Sequence, residues 1–320
     1  MANALSISGK RTVFFCNGLE VPKEEAYENG RMLSYALGGV KVTVFHNRTD
    51  VSSYVDRTFS SDTTETFFSL SFDFAAQIQQ SLTSKLSRAI VICHSDGANI
   101  TRQAMEILTE SACVSQVSIF SFGGATILEK RLASRVENYI FKSDYIALAG
   151  IALSSSSGTS SIPNKSVHVL PDPDKKHKHG FEKLIGHIEH MGRCHKFKSY
   201  QKHIIRVVQE SLKPIDSGSR TKELEFREVP LTDMADFKVI FVKYHGKFKK
   251  LNHKRKAEGC NYERAKRQIV YLWNHKPELR HFILSELICA SIQSSIEIDS
   301  TGRFIRLRKN GVGPKVFKIS

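Results

Sequence analysis

Apolar residues in the first two thirds of this chain come as short continuous runs, and segments of helical spacing lie between them. Arg11 to Cys16 (RTVFFC) is β-branched and aromatic throughout, which predicts a buried strand. It ends at the turn signal Asn17-Gly18-Leu19. Pro22 suits a first helical turn, and Lys23 to Leu37 follows as a helix stopped by Gly38-Gly39. Val40 to Phe45 (VKVTVF) is a second strand that runs into the polar loop His46 to Thr49. Strand, helix and strand joined by tight turns make a βαβ unit.

The alternation continues. Asp50 to Thr64 is polar, rich in Ser and Thr, and expected as a surface excursion. Phe67 to Leu86 carries helical spacing, Ala89 to Cys93 is a strand, and Ala98 to Thr109 is again a helix. Ser115 to Phe122 is a strand closed by Gly123-Gly124, and Thr126 to Ser134 reads as a short helix. Val136 to Phe141 is a strand ending at Lys142-Ser143-Asp144. Ser154 to Ser161 is read as a flexible Ser/Gly-rich stretch. Ser166 to Leu170 is the last strand, stopped by Pro171-Asp172-Pro173-Asp174. Lys196 to Glu210 is an amphipathic helix expected to close the domain on the sheet. Strands without polar alternation are strands covered on both faces. The pattern therefore predicts an α/β fold with a doubly wound, mostly parallel sheet.

Leu212 to Arg220 combines Pro, Gly and Ser, and the domain boundary is placed there, giving domains 1–212 and 213–320. Beyond it the pattern predicts a small α+β module. Phe237 to Val242 is apolar, Tyr262 to His275 and Glu278 to Ser291 are helices parted at Pro277, and Ser295 to Ile298 with Phe304 to Arg308 form a hairpin. Residues 215–320 hold 22 Lys and Arg against 12 Asp and Glu, so they supply +10 of the chain's net +15. Lys247 to Lys256 (KFKKLNHKRK) is the densest basic run.

The candidate chemistry centres on Arg88 to Met105, RAIVICHSDGANITRQAM. A strand, a sharp turn with a central Ser, and a helix form the geometry of a nucleophile elbow, which needs small neighbours two residues either side. Gly97 meets that need downstream of Ser95, and Cys93 stands at the upstream position. A serine nucleophile needs an imidazole to take its proton and a carboxylate to orient the imidazole. In a doubly wound sheet such groups converge only at the carboxyl ends of strands. Ser95, Asp144 and His195 each follow a strand, in that chain order. The backbone N–H of Asp96 and those of the Gly18-Leu19 turn are the candidate oxyanion donors. The Asp96 side chain suits that role only if its carboxylate points away.

Other readings stay open for each piece. Asp144 could be a helix N-cap, and Asp172 and Asp174 are rival acids one strand later. His177, His179, His187 and His190 compete with His195, and His187 and His190 with Cys194 could share one helix face in a zinc-like spacing. That stretch matches no recognised ligand pattern, and no metal is expected.

The elbow string resembles the GHSLGGA elbow of lipase-like α/β-hydrolases. NYIFKSDYIAL resembles the acid strand of class 3 lipase-like proteins, and HKFKSYQKH their His-x-x-x-x-Tyr entry into the closing helix. VFFCNGLEVPKEEAYENGRMLSYALGG with VFHNRT is similar to hydrolase-like proteins of intracellular bacteria. The resemblance spans roughly residues 11–210. It implies an α/β-hydrolase-type sheet, Ser95 as nucleophile, Asp144 as acid and His195 as base. It further implies an ester or thioester substrate, a small-molecule or lipid acyl compound.

A different class is also open: a catalytically silent hydrolase scaffold whose basic C-terminal module binds a protein, an anionic membrane or nucleic acid. The basic residues fit an anionic surface. The module lacks a zinc-finger, RRM or KH signature, so a nucleic-acid partner is not expected. There is no P-loop and no Gly-rich dinucleotide fingerprint, and no cofactor is expected. No apolar run nears the roughly 18 residues of a membrane span. The six Cys form no CxxC pair and read as free, mostly buried thiols. With no signal-peptide pattern at the N-terminus, the expected location is cytoplasmic, or exported without a cleavable signal.

Overall fold

In the computed structural model, described residues are 11–59, 65–108, 112–156, 167–173, 192–212, 226–229, 237–238, 261–291, 294–299, 304–309 and 312–319. Six strands form one all-parallel sheet: β1 (Arg11–Cys16), β2 (Val42–Phe45), β3 (Arg88–His94), β4 (Val117–Phe122), β5 (Arg135–Phe141) and β6 (Val167–Leu170). Their order is β2-β1-β3-β4-β5-β6. The chain leaves β1 to one side and returns to its other side as β3. That reversal opens a crevice at the carboxyl ends of β1 and β3.

Among the described residues, six α-helices of this part follow as α1 (Lys23–Ala36), α2 (Val51–Phe59), α3 (Glu65–Ser81), α4 (Gly97–Leu108), α5 (Tyr145–Ser156) and α6 (Phe197–Leu212). Alternate strand residues point to opposite faces. Val13 and Phe15 of β1, Ile90 and Ile92 of β3 and Phe120 and Phe122 of β4 pack with α1 and α6. Phe14, Val91, Ile119 and their same-parity neighbours pack with α3 and α4. Both faces are covered, and the fold is of the α/β class.

Several sequence expectations are corrected, and one helix with no sequence expectation, α5, is added. Residues 51–59 are helical rather than an excursion. The Asp50 carboxylate caps α2 by accepting from Ser53 N–H at 2.6 Å, and Val51, Tyr54, Val55 and Thr58 are buried at helical spacing. Residues 126–134 form no α-helix, only a 3₁₀ turn at Lys130–Leu132. The Asn138 side chain donates to Leu128 O at 3.0 Å and accepts from Leu128 N–H at 2.9 Å, taking the backbone groups a helix would pair. The helix α5 had no periodic signal, because YIALAGIAL is apolar on every face, and its residues 146–151 are all buried. Helix α3 ends at Ser81, short of Leu86, at a turn where Ser87 Oγ accepts from Ser84 N–H at 3.2 Å.

Two further helices, α7 (Asn261–His275) and α8 (Arg280–Ser291), match the expected pair. Ile269, Leu272 and Trp273 of α7 and Phe282, Ile283 and Leu287 of α8 share one apolar core with Val51 and Tyr54 of α2 and Ile146 and Ile151 of α5. Lys266 Nζ reaches Asp56 of α2 at 2.7 Å, and Tyr262 OH donates to the same carboxylate at 3.0 Å. So residues on both sides of 212 build a common core. Strands β7 (Phe226–Val229), β8 (Phe237–Lys238), β9 (Ser294–Asp299), β10 (Phe304–Lys309) and β11 (Val312–Ile319) form an antiparallel sheet in the order β7-β11-β10-β9-β8. The expected hairpin is the β9–β10 pair, with Ile298 opposite Ile305. Residues 154–156, expected within a flexible stretch, are instead the end of α5, and residues 157–161 and 247–256 lie outside the described residues. Among the described residues, no helix is long and apolar enough to cross a membrane.

Candidate active site

Ser95 sits between the end of β3 and the start of α4 with φ +55°, the left-handed region that a non-Gly residue occupies at a cost of about 1–3 kcal/mol. The turn is pressed against the end of β1. A Cβ at Gly97 would lie 2.5 Å from Cys16 O and 2.7 Å from Asn17 O. Neither backbone oxygen can yield, so Gly97→Ala is expected to destabilise the fold by roughly 2–4 kcal/mol, read as a fall in thermal midpoint. The Cys93 side chain fits its position because it points into the α3–α4 core, wholly buried. Burial pushes its thiol up to about 12, so it stays protonated and is no rival nucleophile.

The structure brings the three predicted side chains together. His195 Nε2 lies 2.9 Å from Ser95 Oγ, and His195 Nδ1 lies 2.9 and 3.1 Å from the two oxygens of Asp144. All three residues are buried. The sequence left Asp144 between helix cap and acid, and one carboxylate does both. Its Oδ1 accepts from Ile146 and Ala147 N–H, each at 3.1 Å, at the start of α5. Its Oδ2 accepts from Tyr200 OH at 2.5 Å, and Tyr200 OH in turn accepts from Phe141 N–H at 3.0 Å. Burial alone would raise this carboxyl. The adjacent His195 ring and the donors His195, Tyr200 and Ala147 N–H outweigh it and hold Asp144 below the ordinary carboxylate range. Room for the Tyr200 contact comes from Gly123 at φ +58°, where a Cβ would stand 2.7 Å from Asp144 Oδ2.

The candidate oxyanion residues also converge. A Cβ at Gly18 would fall 2.8 Å from Ser95 Cβ, so the loop after β1 runs directly beside the serine. Leu19 anchors that loop in the apolar core shared with α2, α5 and α7. The Asp96 carboxylate is engaged by Asn47 Nδ2 at 3.1 Å and Asn99 Nδ2 at 2.9 Å. Asn47 N–H donates to Asn17 Oδ1 at 3.0 Å, which links the loops after β1 and β2 to the elbow.

Sequence reasoning assigned no role to three further residues. Tyr200 stood only inside the quoted His-x-x-x-x-Tyr string. His94 lies inside the elbow string. Its Nε2 donates to His195 O at 2.7 Å and fixes the turn that carries His195. His281 comes from α8, far along the chain, and no local signal marks it. Its ring stands 5.5 Å from that of His195 at 71° and touches the chain at Gly192.

Burial, with the His195 ring beside it, lowers the His94 imidazole from its ordinary 6.5 to about 3. The unfolded chain therefore binds a proton that the folded chain refuses. The contribution of this group makes stability fall as pH drops from about 6.5 towards 3. His94→Gln is expected to flatten that slope in denaturant titrations run across this pH range.

Of the rival acids, Asp172 accepts from Ser143 N–H at 2.8 Å and Ser143 Oγ at 2.6 Å, so it braces the turn before Asp144. Asp174, His177, His179, His187 and His190 lie outside the described residues. Cys194 is buried, and among the described residues no group of three His, Cys, Asp or Glu could hold a metal ion. No family profile, curated protein or solved structure matches this chain.

Proposed function

We propose that this protein is a serine hydrolase of the α/β-hydrolase type, acting on an ester or thioester of a small-molecule or lipid acyl group. The observation that carries the reading is the hydrogen-bonded chain Ser95–His195–Asp144, with its serine at φ +55° on a strand-to-helix turn.

The chemistry follows from the atoms. His195 Nε2 takes the Ser95 proton as Oγ attacks the acyl carbon, and Asp144 stabilises the imidazolium and fixes its tautomer. Backbone N–H groups of Asp96 and of the Gly18-Leu19 loop serve the developing oxyanion. The tetrahedral intermediate collapses as His195 gives its proton to the leaving alkoxide or thiolate. Water, deprotonated by His195, then attacks the acyl-Ser95 ester, and Ser95 recovers its proton as the acid departs.

The test is turnover of p-nitrophenyl esters and acyl thioesters of graded chain length by the full chain and by His195→Ala. Turnover that His195→Ala removes supports the reading. A folded chain that hydrolyses none of them at any length contradicts it and favours the silent scaffold.

A further inference from the structure

The loop beside Ser95 ends in a second non-Gly residue with positive φ. Glu20 adopts φ +48°, two residues after Gly18. A glutamate holds that conformation only where its surroundings over-determine it. Three contacts do so. Glu20 N–H donates to Thr49 O at 3.2 Å. Glu20 Oε1 accepts from Val51 N–H at 3.0 Å, in the first turn of α2. Glu20 Oε2 accepts from the indole N–H of Trp273, which belongs to α7.

Trp273 is itself held. It is buried in the core that joins α7 and α8 to α2 and α5, with Leu19 in the same cluster. The Arg280 guanidinium lies 5.5 Å from its ring centroid, and Arg280 Nε donates to Trp273 O at 2.9 Å. The path from α7 to the serine is therefore short: Trp273, the Glu20 carboxylate, the strained Glu20 backbone, then Gly18 against Ser95.

We infer that Glu20 is a positioning residue, through which the C-terminal helix α7 holds the 17–20 loop at the spacing its backbone N–H groups need beside Ser95. The inference rests on the hydrolase reading above. It makes residues 261–291 a working part of the site rather than an independent appendage. A loop that carries oxyanion donors must hold them to within a fraction of an ångström, and a strained turn does that only while its anchor is made.

Glu20→Gly separates the two roles of this residue. Glycine accepts φ +48° without strain, so the variant folds while losing the carboxylate. Trp273→Phe keeps Glu20 and removes the donor. Both are assayed on a p-nitrophenyl ester in the full-length chain, with rates normalised to the sites titrated by a fluorophosphonate. Loss of stability alone would lower the titrated fraction and leave the rate per site unchanged. The expected result is a kcat per titrated site down about tenfold or more in both variants, with KM and the acidic limb of the pH profile unchanged. Titrated sites in both variants that turn over at the wild-type rate would overturn the inference and leave the hydrolase reading standing. A wild-type chain with no titratable site would overturn that reading and this inference with it.

Discussion

Ser95→Ala is expected to abolish turnover, with kcat falling by about 10⁶-fold towards the background rate, because the variant has no Oγ to attack the acyl carbon. The thiol two residues upstream, Cys93, points into the core and is held protonated by burial. The same site separates activity from stability. Ser95 occupies φ +55°, which suits glycine better than serine. Ser95→Gly is therefore expected to be as inactive as Ser95→Ala yet to melt at a higher temperature than Ser95→Ala. Calorimetry on the two variants beside the wild type measures both halves.

Asp144→Asn should lower kcat by about 10⁴-fold with a smaller loss of stability than Asp144→Ala. With its one oxygen in the Oδ1 place the amide keeps the cap on α5, and its NH2 takes the Oδ2 place that Tyr200 OH needs as acceptor. What it loses is the carboxylate charge beside the imidazole, and its NH2 stands where Oδ2 lies 3.1 Å from His195 Nδ1. An amide N–H facing Nδ1 moves the ring proton to Nε2, which then donates to Ser95 Oγ instead of accepting from it. Asp144→Ala loses the cap as well and should cost about 1 kcal/mol more in stability. If both variants lost activity only in proportion to unfolding, Asp144 would be a helix cap and no more. Activity per folded molecule distinguishes the two cases.

The parts of this fold legible in the sequence are those where one signal dominates. RTVFFC, RAIVIC and VENYIF are strands buried on both faces, and continuous apolar runs say so directly. The order Ser95, Asp144, His195 at strand ends was legible because a parallel sheet sends every strand's carboxyl end to the same side. Helix α5 was not, because a helix apolar on all faces shows no period. Helix α2 was hidden under Ser and Thr, although Val51, Tyr54, Val55 and Thr58 keep helical spacing. The links that complete the site are non-local. Tyr200 to Asp144, His94 to His195 O, His281 to His195 and Trp273 to Glu20 join residues 56 to 253 positions apart, which no local pattern encodes.

The same contrast bears on domain organisation. Composition and charge divide the chain near 212. The core of α2, α5, α7 and α8 crosses that divide, and so do the Asp56–Lys266 pair and the Glu20–Trp273 bond. A basic bias describes what a segment presents to solvent, and it says nothing of what the segment's apolar face covers.

The measurement that tests the central claim most directly is covalent capture of the nucleophile. The intact chain is treated with a fluorophosphonate at neutral pH, and the adduct is located by peptide mass spectrometry. One phosphonylated residue is expected, Ser95, with no adduct in Ser95→Ala and a greatly slowed one in His195→Ala. A folded chain that takes up no probe, or that takes it up at another residue, would contradict the account.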